Sequence, residues 1–395
     1  MSQNNTWLLP EGIEELLPPE AAQVEALRRR LIDLYQTWGY ELVMTPFIEY
    51  LDSLLTGTGS DLDVHTFKLT DQISGRMMGV RADITPQVAR IDAHKLRRDT
   101  PTRLCYMGSV LRTRSKHFGG TRNPLQVGAE LFGHDGIASD VEILLLMLET
   151  IRAAGVRRLH VDLGHVGIYR ALVEQTGLEH EQEMALFEAL QRKAIPEIKA
   201  LIATFDLSES DASMLNALAQ LNGDEAILDR ARELFAAASA EVHEALDYLQ
   251  QVAVEVQRRN PDLSIHYDLA ELRAYHYQTG VVFAAFTPGS GTEIARGGRY
   301  NDVGKAFGRA RPATGFSAYL KVLVRVAEEQ QPPFRKAILA PWGEDAGLLS
   351  LVEQLRNEGK CVIWELPGQQ GDAVQMQCAS VIRNSGNGWV VESLE

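Results

Sequence analysis

Cysteines, long apolar runs and an apolar leader are scarce or missing in this sequence. The three cysteines, Cys105, Cys361 and Cys378, show no CxxC spacing, so neither a disulfide framework nor a zinc site is expected. The longest apolar run spans residues 143–148 and is flanked by glutamates, which is too short for a transmembrane helix. The first residues, MSQNNTWLLPEG, include neither a basic nor an apolar region, so we expect no signal peptide and no membrane association.

Several catalytic motifs are also missing. The sequence contains no GxxxxGK[ST] phosphate loop and no GxSxG serine elbow, and Gly57-Thr58-Gly59 lacks the third glycine of a dinucleotide loop. The ten histidines show no HExxH or other paired ligand spacing. We therefore expect no metal site and no cofactor.

Basic residues are fewer than acidic ones: the sequence has 39 Lys and Arg and 53 Asp and Glu, which gives a net charge of −14 at pH 7. This balance disfavours a protein that wraps a nucleic acid across a broad surface. The deficit is uneven along the chain: residues 177–260 carry 7 basic and 16 acidic residues, and residues 331–395 carry 5 and 8. Residues 90–122, here called the basic segment, hold nine basic and two acidic residues.

Changes in composition divide the 395 residues into four segments. Helical and strand patterns alternate over residues 1–176 and again over 261–330, which we expect to form the two parts of one core. Residues 177–260 are rich in Ala, Leu and Glu with continuous helical periodicity, which predicts an all-helical insertion. A polar, proline-ended stretch precedes residues 331–395, which begin as a short βαβ tail.

Two segments carry polar side chains in a strand pattern. Arg112 closes the run of residues 104–111, and a strand within a sheet would deliver this arginine to a pocket. Alternation after residue 125 places Gln126 and Glu130 on one face with Gly128 between them, which leaves room for a small polar ligand. The same alternation also fits a half-exposed edge strand.

Three further segments allow two interpretations each. Asp83 and Thr85 lie where a proline turn opens a helix, so they can belong to a site or cap that helix. The aromatic stretch that includes Arg273 and Tyr277 can form the wall of an imidazole site or be part of the core. The basic segment can hold phosphates or form a solvated face.

Read in order, these pieces resemble the catalytic core of class II histidyl-tRNA synthetases over roughly residues 8–326. The resemblance implies an α+β fold with an antiparallel sheet flanked by helices, and a first motif over residues 38–46 that serves as a dimer element. The strand ending at Arg112 and the return through Glu130 resemble the second motif and the histidine-binding strand. The segments of residues 273–283, 296–300 and 313–316 resemble the histidine loop and the last elements.

The departures from that pattern fall on residues that handle ATP and tRNA. Val322 stands where those synthetases place the arginine that holds the γ-phosphate of ATP, and Tyr319 fills a small-residue position beside the nucleotide. Arg114 replaces a glutamate, and Pro124-Leu125 replaces an aromatic-histidine pair. The tail is short and acidic where the synthetases have a basic-faced anticodon-binding domain. Loss of such positioning and charge neutralisation should cost orders of magnitude in adenylation.

A synthetase-like core with these losses is similar to the ATP phosphoribosyltransferase regulatory subunits, a family paralogous to histidyl-tRNA synthetase. The resemblance implies a non-catalytic, cytoplasmic subunit that acts with a short catalytic subunit in the first step of L-histidine biosynthesis, takes part in histidine feedback and does not bind tRNA. It also implies a histidine-binding set of Asp83, Thr85, Arg112, Gln126, Glu130, Arg273 and Tyr277. The alternative is an active histidyl-tRNA synthetase with divergent motifs.

Overall fold

The computed structural model describes residues 7–57, 59–115, 120–272, 275, 277–328, 337–386 and 388–394. The chain divides into two compact units, one formed by residues 1–15 and 26–330 and the other by residues 16–25 and 331–395. Among the described residues, none of the helices combines the length and the apolar character needed to span a membrane.

The helices and strands of the described residues are numbered here in chain order. The helices are α1 (Glu20–Thr37), α2 (Leu51–Leu55), α3 (Gly59–His65), α4 (Thr85–Arg90), α5 (Ile137–Ala153), α6 (Val166–Thr176), α7 (His180–Gln191), α8 (Ile195–Ile202), α9 (Glu209–Leu218), α10 (Ala226–Leu234), α11 (Ala240–Arg259), α12 (Leu320–Val326) and α13 (Ala346–Asn357). The strands are β1 (Glu41–Val43), β2 (Ile48–Tyr50), β3 (Phe67–Thr70), β4 (Met77–Val80), β5 (Thr102–Ser109), β6 (Leu125–Phe132), β7 (His160–His165), β8 (Asn222–Gly223), β9 (Ser264–Asp268), β10 (Val281–Phe286), β11 (Ala295–Arg299), β12 (Ala313–Tyr319), β13 (Ala337–Pro341), β14 (Val362–Glu365), β15 (Cys378–Asn384) and β16 (Trp389–Ser393).

The first unit is built on a nine-stranded sheet with the order β1-β5-β6-β12-β11-β10-β7-β9-β8. Its strand pairs are antiparallel except β1–β5 and β7–β9, which are parallel. A small sheet of β2, β4 and β3 accompanies it. The α+β class expected from the sequence is therefore confirmed.

Strand β6 lies inside the large sheet, between β5 and β12. All of its residues after Leu125 are buried, including the polar Gln126 and Glu130. The edge-strand interpretation of this segment is wrong, because both edges of β6 are paired and both faces are covered. Polar side chains at such a position need partners inside the protein or on a ligand.

The segment of residues 177–260 is helical from α7 to α11 apart from the two-residue strand β8, which pairs with β9. The long helix α11 packs on the core, since the Tyr248 hydroxyl donates a hydrogen bond of 2.6 Å to Asp140 of α5. The limits drawn between the core and the insertion stay a prediction, because these helices share one compact unit with the sheet.

The second unit contains a four-stranded sheet with the order β14-β13-β15-β16. Strand β13, helix α13 and the parallel strand β14 form the βαβ unit expected from the sequence, and the Asp345 side chain caps α13 by accepting the Leu348 N–H at 3.0 Å. Strands β15 and β16 were not predicted. They pair with each other in antiparallel fashion, and β15 runs parallel to β13. The tail therefore contains two strands in addition to its single βαβ unit.

Candidate functional site

Glu130 of β6 is the centre of a buried polar cluster. Its Oε1 accepts a hydrogen bond of 3.1 Å from the Tyr106 hydroxyl, and its Oε2 accepts one of 2.5 Å from Tyr300. Burial raises the pKa of Glu130 to about 8, and nearby Asp83 adds to the increase, while the hydroxyls of Tyr300, Tyr106 and Thr85 act in the opposite direction. Burial thus favours the protonated form of this carboxyl group at neutral pH.

Two glycines make the space that this cluster occupies. A Cβ atom on Gly315, which pairs with Glu130 across β12 and β6, would lie 1.5 Å from Glu130 Oε2. A Cβ atom on Gly128 would lie 2.4 Å from the Tyr106 hydroxyl. Neither collision can be relieved by a small shift, so these glycines are required for the carboxyl and the tyrosine to lie directly over the neighbouring strands.

Asp83, Thr85 and Gln126 connect the start of α4 to the same cluster. Gln126 Nε2 donates to Asp83 Oδ1 at 3.0 Å, and Gln126 Oε1 accepts the Ile84 N–H at 3.1 Å. The Thr85 hydroxyl lies 3.0 Å from that of Tyr106, which contacts Glu130. Four of the residues expected from the sequence, Asp83, Thr85, Gln126 and Glu130, therefore form one continuous hydrogen-bond network.

The helix-capping interpretation is correct in part. Asp83 Oδ1 also accepts the backbone N–H of Thr85 at 3.0 Å, so this carboxylate satisfies a donor at the start of α4. Thr85 itself is the first residue of α4, and the capping position belongs to Ile84, which has no side-chain cap. The cap interpretation of Thr85 is wrong, and its hydroxyl is directed to Tyr106 instead.

Arg112 reaches the site from the chain beyond β5, which ends at Ser109. Its backbone N–H donates to the Arg122 carbonyl at 2.8 Å, which continues the pairing past the end of the strand. The side chain is 4% exposed; Nε donates to the Ala82 carbonyl at 3.1 Å and Nη2 donates to the Tyr319 hydroxyl at 2.6 Å. Two hydrogen bonds, one of them to the residue before Asp83, thus fix the side chain of this arginine.

Tyr277 packs beside Tyr300 of the cluster. Its ring centroid is 5.0 Å from that of Tyr300, with an interplanar angle of 31°. Its hydroxyl is buried and has no hydrogen-bond partner among the described residues, and the same is true of the side-chain oxygen of Gln278. Burial raises the pKa of Tyr277, and the charges of Glu130 and Asp83 raise it further. Arg273 lies outside the described residues.

Unpartnered buried polar groups beside carboxylates indicate a binding site more than a packing core. A buried hydroxyl without a partner costs roughly 1–3 kcal/mol, so a ligand that satisfies it gains that free energy. Acidic groups at Glu130 and Asp83 suit N–H donors, and Arg112 suits an anionic acceptor.

The basic segment is partly engaged in ion pairs, and its phosphate-holding interpretation stays a prediction. Three of its arginines are neutralised by glutamates within hydrogen-bond distance. These pairs are Arg90–Glu49 at 2.5 Å, Arg98–Glu41 at 2.9 Å and Arg103–Glu142 at 2.7 Å. Ion pairs therefore account for a third of the segment's nine basic residues.

Sequence reasoning missed Tyr106 and Tyr300 as direct partners of Glu130. Tyr106 lies in the run that ends at Arg112, and Tyr300 closes the Arg-Gly-Gly-Arg-Tyr stretch, but neither pattern reveals which strand each will face. Register supplies the missing information: Tyr106 pairs opposite Gly128 between β5 and β6, two residues from Glu130.

The sheet, the buried Glu130 cluster and the comparisons together define the class of protein. A family model described as histidyl-tRNA synthetase matches residues 12–323. The solved structure of an ATP phosphoribosyltransferase regulatory subunit/histidyl-tRNA synthetase from Bacillus halodurans C is similar with a TM-score of 0.85 and 26% identity, covering 95% of this chain and 97% of that chain. The chain has the class II, histidyl-tRNA-synthetase-like fold.

Two further similarities narrow the class to a particular family. Residues 335–392 match a model described as the ATP phosphoribosyltransferase subunit HisZ C-terminal domain. The chain is 58% identical over 395 residues to the ATP phosphoribosyltransferase regulatory subunits of Alkalilimnicola ehrlichii and Thioalkalivibrio sulfidiphilus, covering 100% of this chain and 98% and 100% of those proteins. The chain belongs to the ATP phosphoribosyltransferase regulatory subunit family.

Proposed function

We propose that this chain is the non-catalytic regulatory subunit of an ATP phosphoribosyltransferase and acts in the cytoplasm with a short-form catalytic subunit. The observation that carries this proposal is full-length similarity, at 58% identity, to proteins named as such subunits. The match of residues 335–392 to a C-terminal domain of that subunit family adds support, because the synthetase-like core alone does not separate the two functions.

The chemistry of the site supports the absence of catalysis by this chain. Adenylation depends on positive charge placed on the phosphates of ATP. Val322 supplies no charge, and the neighbouring Lys321 is buried, donating to the Asn123 carbonyl at 2.9 Å and pairing with Glu14 at 3.2 Å. One donor of Arg112 is occupied, because its Nη2 donates to the Tyr319 hydroxyl at 2.6 Å.

The ligand proposed for the pocket is L-histidine, used as a feedback signal. Glu130 and Asp83 would accept hydrogen bonds from the α-ammonium or imidazole N–H groups, with Gln126 and Thr85 completing the polar wall. Arg112 and Arg273 would face the carboxylate, and Tyr277 would pack on the ring. The buried Tyr277 hydroxyl has no hydrogen-bond partner within the part of the chain that the structure describes, and burial raises the pKa of Glu130. Both features support a ligand that brings a hydrogen-bond partner and positive charge.

Self-association through the helix and strand that contain the first synthetase-like motif is part of the proposal. Strand β1 ends the order of the large sheet, and the following residues expose apolar side chains: Met44 is 83% exposed and Phe47 44%. Exposed apolar groups beside a strand edge are typical of an interface. Sedimentation of the isolated chain checks this, with a dimer expected and a monomer contradicting it.

Three measurements test the function. Histidine-dependent exchange of pyrophosphate into ATP by the purified chain should be absent, and robust exchange would establish the synthetase alternative. Phosphoribosyl-ATP should form when the short catalytic subunit is mixed with this chain. Calorimetry should detect L-histidine binding that Glu130→Gln weakens at least roughly tenfold, while Glu197→Gln on the surface of α8 leaves it unchanged.

A further inference from the structure

A buried carboxylate joins the helical segment of residues 177–260 to the sheet that carries the candidate site. Asp140, in the first turn of α5, is fully buried. Its Oδ2 accepts hydrogen bonds from the Tyr248 hydroxyl of α11 at 2.6 Å and from Arg299 Nε of β11 at 3.0 Å. Arg299 is 4% exposed, and its Nη2 also donates to the Ser139 hydroxyl at 2.8 Å. The elements α5, α11 and β11 therefore meet at one carboxylate.

Arg299 is connected to the candidate site through the backbone on either side of it. Tyr300, the next residue, donates to Glu130 at 2.5 Å. The Arg299 carbonyl accepts the Thr279 N–H at 2.7 Å, and Thr279 follows Tyr277 by two residues. A shift of the Tyr277 loop can therefore reach Arg299 through this hydrogen bond as well as through Tyr300.

The two donors at Asp140 use the same oxygen of the carboxylate. Its Oδ1 is buried and has no hydrogen-bond partner among the residues that the structure describes. A buried acceptor without a partner is costly, so moving one donor from Oδ2 to Oδ1 brings a compensating gain. The carboxylate thus offers two arrangements of its donors, and a small shift of β11 relative to α11 can exchange them.

We propose that Tyr248 couples the candidate site to helix α11: a ligand that moves Tyr300 and Arg299 changes how the donors share the Asp140 carboxylate, and α11 responds. The inference rests on the proposed histidine pocket and adds the route by which its occupancy reaches the helical segment. Tyr248 acts through Asp140, so it is a positioning residue. Because coupling is reciprocal, a partner that holds α11 in the bound arrangement also favours the ligand.

Two tyrosine substitutions separate this coupling from the general effect of losing a buried hydroxyl. Tyr248→Phe removes the hydrogen bond to Asp140 and keeps the ring, whose centroid lies 5.6 Å from that of His165. Tyr35→Phe is the matched control, because Tyr35 is also buried and its hydroxyl accepts a 3.1 Å hydrogen bond from Thr150 of the same helix α5. Tyr35 belongs to α1 and has no part in the contact with α11.

The measurement is hydrogen exchange of the whole chain with and without saturating L-histidine. Residues 26–37 of α1 report the general stabilisation that a bound ligand gives. In the wild type and in Tyr35→Phe, we expect L-histidine to slow exchange in α11 at least roughly fivefold more than in α1. Tyr248→Phe should bind L-histidine within about threefold of the wild-type affinity, but the additional slowing in α11 should fall below about twofold.

Equal slowing of α11 and α1 in a wild type that has bound L-histidine would overturn the inference. Additional slowing of α11 that survives in Tyr248→Phe would overturn it too, because the signal would then travel by another route. A wild type that binds no L-histidine refutes the proposed ligand of the pocket instead.

A double-mutant cycle without ligand decides the coupling in that case, and also if Tyr248→Phe no longer binds. Tyr300→Phe and Tyr248→Phe each change the unfolding constant by a factor. The product of the two factors should differ from the effect of the double variant at least roughly threefold. A product that equals the effect of the double variant, as we expect for Tyr300→Phe with Tyr35→Phe, would overturn the inference whatever the ligand.

Discussion

The buried carboxyl of Glu130 should make the stability of the protein, measured without ligand, depend on pH in a specific direction. The pKa of this group rises from an ordinary 4.5 to about 8, chiefly because of burial. Between these two values the folded protein keeps a proton that the unfolded chain has lost. Raising the pH across this window therefore favours the unfolded chain, and the stability from this group is largest at low pH.

The size of the effect follows from the shift. One pKa unit is worth ~1.36 kcal/mol, so a shift from 4.5 to about 8 lowers the free energy of unfolding by ~3 kcal/mol between pH 5 and pH 8. Glu130→Gln removes the titration but keeps the shape of the side chain and an oxygen that can accept from Tyr106 or Tyr300. The variant should lose this part of the pH dependence.

Equilibrium urea unfolding of the wild type and Glu130→Gln at pH 5, 6, 7 and 8, without ligand, measures the difference. The curves of stability against pH should diverge, with the wild type falling more steeply by ~3 kcal/mol over the range. Glu197→Gln on the surface of α8 should follow the wild type. If wild type and Glu130→Gln run parallel, Glu130 does not titrate in this window and the description of the cluster is wrong.

Three other predictions use the same structure. Gly315→Ala should destabilise the first unit by roughly 2–4 kcal/mol and abolish histidine binding, because its Cβ would lie 1.5 Å from Glu130 Oε2. The control in urea unfolding is Gly291→Ala, whose Cβ would have no described atom within 4 Å. Asp92→Asn should lower the free energy of unfolding by about 3–5 kcal/mol in the same assay, because it leaves the buried Arg311 without its 2.8 Å ion pair. Glu41→Gln, at the exposed pair with Arg98, should lower it by under ~1 kcal/mol. Equal losses in the two variants would contradict this prediction. Histidine binding near pH 7 should release a proton from Glu130, because burial raises the pKa of this group to about 8. The calorimetric enthalpy should therefore change with the ionisation enthalpy of the buffer more in the wild type than in Glu130→Gln. An identical buffer dependence in both proteins would refute the link.

The sequence predicted the parts of the site that depend on local periodicity. A strand has a repeat of two residues, so Gln126 and Glu130 had to share a face, and the structure has them in one network with Asp83 and Thr85. Helix α13 likewise follows from its apolar spacing and from Gly359 after its end.

The parts that were missed depend on which strand lies beside which. Nothing in the local pattern of Tyr300 shows that its hydroxyl reaches Glu130 2.5 Å away, because that contact requires the order β6-β12-β11. The hydrogen bond between Arg112 and Tyr319 joins residues 207 positions apart, which no periodicity can indicate. Strands β15 and β16 were missed because polar residues interrupt their apolar alternation.

The central claim is that a synthetase-like chain serves as the regulatory partner of a separate catalytic subunit. The most direct test is to titrate a fixed amount of the short catalytic subunit with this chain and to follow phosphoribosyl-ATP formation from ATP and phosphoribosyl pyrophosphate. The account predicts that the rate rises with added chain and saturates at a fixed ratio of the two proteins. A rate that does not change at any ratio would contradict it.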